Sequence, residues 1–107
     1  MTFSNFNDIK EKQIAEGVEL KAISGDAMTM TMFYVSQGGI IPEHSHPHEQ
    51  IGTILNGTIE LIIGDEKKKV TNGDIWVIPS NVEHKGHCVE GPAEVLEVFS
   101  PPREDYK

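Results

Sequence analysis

The chain has 107 residues, enough for one domain around one hydrophobic core. Its formal net charge of −8 argues against nucleic acid and anionic membrane as partners, because both need lysine and arginine to replace counterions. An anionic small molecule is not excluded, since a buried site can be locally positive in an acidic protein. Cys88 is the single cysteine, so no internal disulfide can form, which fits a reducing compartment. No apolar run nears the roughly 20 residues of a membrane span, and the first residues lack the apolar stretch of a signal peptide. A cytoplasmic location is expected.

In chain order, residues 1–17 form an N-terminal arm, in which only 6–16 could be helical. Val18–Ser24 and 28–35 are strand candidates, rich in β-branched residues and alternating with period two. In the second, Met28, Met30, Met32 and Tyr34 alternate with Thr29, Thr31, Phe33 and Val35, and the methionine stripe is expected to pack in the core. Segments 50–55 and 58–63 flank Asn56-Gly57, the strongest short-range hairpin signal. Gly64-Asp65 and Asn72-Gly73 mark further turns beside strands 67–71 and Ile75–Ile78. A last strand, 93–99, precedes Pro101-Pro102 and the tail 101–107. Short strands with turn residues between them predict an all-β sandwich or barrel over 18–100. An open barrel leaves sheet edges, and the N-terminal strand could cover a partner's, so a homodimer is expected.

Three of the five histidines stand in His44-Ser45-His46-Pro47-His48. On a strand, His44 and His46 share one face. Two neutral imidazoles facing inward begin a divalent-metal site. Further ligands must come from elsewhere, and His84, beyond Pro79, is the natural third. Pro47 interrupts the alternation, so His48 is assigned to a loop beside the site. Glu49 is expected to be structural or exposed. His87, three residues after His84, falls on the opposite strand face.

Gly38, His44, His46, Gln50 and Gly57, followed by Gly73, Pro79, Asn81, His84 and Cys88, carry a specific joint spacing. It resembles the two conserved motifs of the cupin superfamily, over nearly the whole chain. The resemblance implies a double-stranded β-helix, the jelly-roll barrel, as a single domain with one divalent transition-metal ion inside at one end. Three positions depart from the motifs: Gln50 replaces an acidic ligand, Asn81 a glycine and Cys88 an asparagine. Asn81 can adopt the positive φ of the glycine it replaces, and Cys88 is expected to be a small buried apolar residue. With Gln50, four neutral ligands would leave the ion near its full charge, a stronger Lewis acid than one with a carboxylate ligand. Nitrogen-rich ligands admit Zn, Ni, Cu, Fe, Co or Mn, and the sequence does not choose among them. Loss of metal is expected as the pH falls below about 6, where imidazole protonates.

In the C-terminal strand, Val95, Glu97 and Phe99 share one face and Glu94, Leu96 and Val98 the other, so parity alone does not say which faces inward. Turned inward, Glu97 would be an acid in a partly dry cavity, suited to proton transfer. Arg103 could fold across the barrel mouth and bind a carboxylate bidentately, or pair locally with Glu104 or Asp105. This tail and the His44–Gln50 run resemble the small pectin-degradation cupins of the KdgF type. These convert unsaturated uronates to linear ketonised products. That resemblance implies metal ligands His44, His46, Gln50 and His84, and functional residues Glu97, Phe99 and Arg103. Glu97 stands where the family has an aspartate, and its extra methylene moves the carboxyl by about 1 Å. The expected function is ring-opening isomerisation of an unsaturated uronate by a metal-dependent enzyme. A metal-dependent dioxygenase and a non-catalytic sugar- or small-acid-binding cupin are the alternatives from other classes.

Overall fold

The computed structural model describes residues 2–107. Eight strands follow in order: β1 Lys12–Ala15, β2 Val18–Ser24, β3 Thr29–Val35, β4 Ile40–His44, β5 Glu49–Ile63, β6 Glu66–Val70, β7 Ile75–Ile78 and β8 His84–Ser100. Among the described residues the strands pair antiparallel, in the order β1-β2-β3-β8-β5-β6, with β4 added to β8 and β7 to β5, and one isolated parallel bridge joins Ile54 to Asn72. This is the expected double-stranded β-helix, or jelly-roll barrel. Among the described residues no helix is long and apolar enough to cross a membrane.

The two long strands, β5 and β8, are the axis of the fold. Their first pairing block runs from Glu49↔Ser100 to Ile54↔Val95 and their last from Ile59↔Cys88 to Ile63↔His84. Between the blocks the register slips repeatedly. Each strand therefore serves both sheets: β3 and β7 flank one block, and β4 and β6 flank the other. The slip lies at Asn56-Gly57, so the expected hairpin there is a bend within one continuous strand. A type I′ hairpin needs positive φ at both central residues. Of the two, only Gly57 has it (φ 81); among the described residues Asn81 is the sole non-glycine that does. Gly57 also permits close approach, because a Cβ there would lie 2.7 Å from the Ala93 Cα. The two-residue reversal occurs instead at Gly64-Asp65, where Ile63 pairs with Glu66.

Two other expectations are corrected. Residues 6–16 form no helix: Phe6–Asp8 is a single 3-10 turn, with Asn5 Oδ1 accepting from the Asn7 N–H, and Lys12–Ala15 is a strand. Gly17, at φ 73, turns the chain back so that β1 pairs with its own β2. The methionine stripe faces outward, while Thr29, Thr31, Phe33 and Val35 are buried. The threonines are tolerated inside because their hydroxyls are used: Thr29 Oγ1 accepts the Arg103 N–H at 2.9 Å and Thr31 Oγ1 donates to the Glu97 carbonyl at 3.4 Å.

The core holds Val18, Leu20, Phe33, Val35, Ile54, Ile59, Val70, Cys88, Ala93, Val95 and Phe99. Cys88 is fully buried, as expected, and burial raises its thiol pKa. The C-terminal tail packs onto the barrel and is tied to β1. Tyr106 lies edge-on to Phe33 and Phe99, and Lys12 Nζ donates to the Tyr106 carbonyl at 2.7 Å.

Candidate metal centre

The ligand-bearing elements meet at one end of the barrel. β4 ends at His44, the following loop carries His46, Gln50 is the second residue of β5, and β8 begins at His84, paired with His44. A tight turn pins the His46 loop. Asn81, at φ 65, donates its N–H to the His46 carbonyl at 2.8 Å, and Ser80 Oγ donates to the Pro47 carbonyl at 2.5 Å. One ring nitrogen from each of His44, His46 and His84 lies within 4.8 Å of the others.

Each ring is oriented by a backbone carbonyl two residues away. Nδ1 faces Pro42 O in His44 (2.7 Å), His48 O in His46 (3.0 Å) and Val82 O in His84 (2.9 Å). A carbonyl only accepts, so the proton of each neutral ring is assigned to Nδ1, leaving the Nε2 lone pairs free. The fourth atom is Gln50 Oε1, 3.1 Å from His46 Nε2. The amide is oriented from its other end, where Nε2 donates to Glu97 Oε2. His46 Nε2 and Gln50 Oε1 are then two acceptors facing each other without a proton. Two atoms each about 2.1 Å from one ion are roughly 3 Å apart at a right angle or slightly wider. His84 Nε2 is likewise buried with no hydrogen-bond partner. Converging lone pairs inside a closed sheet fit a divalent cation, and outer partners on every imidazole are what metal-binding histidines display.

Burial also favours the neutral form of two of these rings, His84 and His46. His84 is lowered to about 4, chiefly by burial. His46 is lowered by burial and then by the Arg103 charge. Protons therefore compete for these two rings at lower pH than for an ordinary histidine. His48 sits beside the site in the loop, Glu49 is exposed and His87 faces away.

Glu97 faces inward and is buried. Burial raises its pKa, opposed by hydrogen bonds from Gln50 and Trp76. Both donors use Oε2, with Trp76 Nε1 at 3.1 Å, which leaves Oε1 without a hydrogen bond. Phe99 is buried and lies edge-on to His46 at 5.8 Å between centroids. The Arg103 guanidinium packs between the Phe99 and Tyr106 rings, 4.9 and 4.2 Å from their centroids. It lines the cavity, but its forked edge is taken: Nε and Nη2 bond Asp105 at 3.1 and 2.8 Å. The local pair with Asp105 is thus the alternative the structure shows; it takes the fork that bidentate binding of another carboxylate would need, and only Nη1 is buried and unpartnered.

The inner cavity, about 70 Å³, shares Ile14, Ile41, His44, Arg103 and Tyr106 with an outer pocket of about 230 Å³. Sequence reasoning did not single out Trp76, Tyr106 or Gly52. Gly52, a glycine inside a strand, was the available signal, because such a position marks close approach by another group.

The cupin domain family matches residues 31–99. The pectin degradation protein KdgF of Dickeya dadantii (strain 3937) is 28% identical over 97 residues, covering 89% of this chain and 88% of that protein. The structure of KdgF from Halomonas sp. superposes with a TM-score of 0.90 at 25% identity, over 99% of this chain and all of that one. An RmlC-like cupin from Shewanella frigidimarina NCIMB 400 matches with a TM-score of 0.93 and 23% identity, over 100% of this chain and 96% of its own, and so shows the shared fold.

Proposed function

The chain belongs to the cupin domain family, and from that premise we propose that it is a metal-dependent enzyme that isomerises a small unsaturated uronate by opening its ring. The observation that carries this reading is the convergence of three imidazole lone pairs and the Gln50 oxygen beside two further unpartnered groups, Glu97 Oε1 and Arg103 Nη1. The match to KdgF supports the substrate class.

A divalent ion held by His44, His46, His84 and Gln50 would supply Lewis-acid polarisation of a substrate oxygen. Arg103 Nη1 binds the substrate carboxylate as a single charge-assisted donor. Glu97, its pKa raised by burial, transfers the proton through Oε1, the oxygen without a hydrogen bond. Phe99 and Tyr106 fix the guanidinium and keep water from one wall. The conversion is an isomerisation, so it needs no oxidant and no net water. The metal-loaded protein should remove the double-bond absorbance of an unsaturated uronate. Failure across a panel of such uronates, with metal bound, would end this reading. Oxygen uptake dependent on Fe(II) would favour a dioxygenase, and binding without product a sugar-binding cupin.

The partner expected is a second copy of the chain. One cross-strand row on the outer sheet face reads Ile23, Met30, Val98, Ile51 and Val77 across five strands. Ile23, Met30, Ile51 and Val77 are exposed, as is Ile75 two residues before Val77. The row carries no charge on a chain of net charge −8, so like-charged copies approach there with least repulsion. A monomer seldom shows an apolar patch beyond a few hundred Å², and a stable pair buries about 800 Å² per partner. Light scattering at micromolar concentration should give a dimer for the native chain and a monomer for Ile51→Lys. A native monomer would refute it. The lone buried Cys88 supports a reducing, cytoplasmic location.

A further inference from the structure

Trp76, Gly52 and Glu97 form one cross-strand row. Gly52 on β5 faces Trp76 on β7 and Glu97 on β8. Trp76 and Glu97 both line the cavity, with the glycine between them. A Cβ on Gly52 would lie 2.5 Å from the indole Cε2 and Nε1, and 2.6 Å from Cζ2. Such contacts are not tolerated, so the indole occupies the space a side chain at position 52 would need. Lying over the bare glycine, it brings Nε1 to 3.1 Å from Glu97 Oε2. That same oxygen accepts the Gln50 Nε2 proton.

A glutamine amide has two ends of nearly equal shape and opposite polarity. Nothing in its own shape decides whether oxygen or NH₂ faces the imidazoles. The decision comes from Glu97, which only accepts when ionised and so takes the NH₂ end. Glu97 in turn needs a fixed rotamer, and the indole N–H supplies it. We propose that Gly52 and Trp76 are positioning residues: the indole laid across Gly52 holds the Glu97 carboxylate, which locks the Gln50 amide with its oxygen toward the ion site. This rests on the metal reading above. It assigns functions to two residues that touch no ligand atom. It also accounts for the free Oε1 of Glu97, since both donors converge on Oε2.

The test uses Co(II) as probe, titrated into native protein, Trp76→Phe and Gly52→Ala against a competing chelator, with the visible ligand-field spectrum recorded. Loss of an outer partner to a metal ligand typically weakens binding about 10- to 100-fold; Trp76 acts one contact further out, through Glu97, so the low end of that range applies. Both variants should bind Co(II) about 10-fold more weakly than the native protein, with an altered spectrum. A merely structural tryptophan would lower the melting temperature of metal-free protein while leaving affinity and spectrum unchanged. Should Gly52→Ala fail to fold, Trp76→Phe decides alone, because it keeps an aromatic ring and removes the N–H. Native affinity and spectrum in Trp76→Phe overturn the proposal while the metal reading stands. A native protein that binds no Co(II) removes that reading, and this proposal falls with it.

Discussion

The two ends of the barrel are built from the same two strands and hold opposite chemistry. At the closed end, where β5 and β8 bend, the interior is Val35, Ile54, Cys88 and Ala93, all 1% exposed or less. At the open end the same strands supply Gln50, His84, Glu97 and Phe99, joined by His46 and Arg103. Each strand leaves the open end, bends and returns to it, so residues far apart in sequence converge. The closed end is packed for stability and, among the described residues, leaves no buried side-chain polar atom unpaired. The open end keeps His84 Nε2 and Arg103 Nη1 without partners, a cost a protein bears where it binds something.

That contrast can be broken by exchanging damage between the ends. The largest effect is expected from His84→Ala, which removes one of the converging donors. Its metal affinity, by chelator competition, should fall more than about 100-fold, beyond what losing an outer partner costs. The metal-free fold should survive, since Nε2 makes no hydrogen bond and the ring's one bond, from Nδ1 to the Val82 carbonyl, lies at the partly buried edge of the barrel. Leu20→Ala, in the apolar core, should do the reverse. Denaturant titration should show a loss of about 2–5 kcal/mol, with metal affinity of the folded protein unchanged. Equal loss of metal affinity in both variants would erase the distinction between the ends.

The pH dependence is expected to be smaller. In metal-free protein His84 titrates at about 4, against 6.5 in an unperturbed histidine. Between those values the unfolded chain takes up a proton that the folded chain refuses, so stability is full above pH 6.5 and falls as the pH drops toward 4. The loss should be on the order of 2 kcal/mol, discounted for solvent screening. Melts in excess chelator across this range would show it. A flat profile would mean that His84 is not desolvated.

Much of the fold follows from pattern alone. Val18–Ser24 and Ile75–Ile78 are strands with the bounds that alternation predicts. Asn56-Gly57 misleads because a bend and a hairpin both want positive φ, and only pairing with β8 separates them. The methionine stripe misleads because this sheet is apolar on both faces, so hydropathy does not orient β3. The same ambiguity covered Glu97 until register placed it opposite Gly52. The three histidines were readable because their spacing carries them. Trp76 was not, because its role arises only when Glu97 is set beside it.

The account stands on one ion at the convergence of four neutral ligands. Anomalous diffraction from crystals of metal-loaded protein tests it directly. The account predicts a single peak bonded to Nε2 of His44, His46 and His84 and to Oε1 of Gln50. No peak there, or an ion bound elsewhere on the chain, would contradict it.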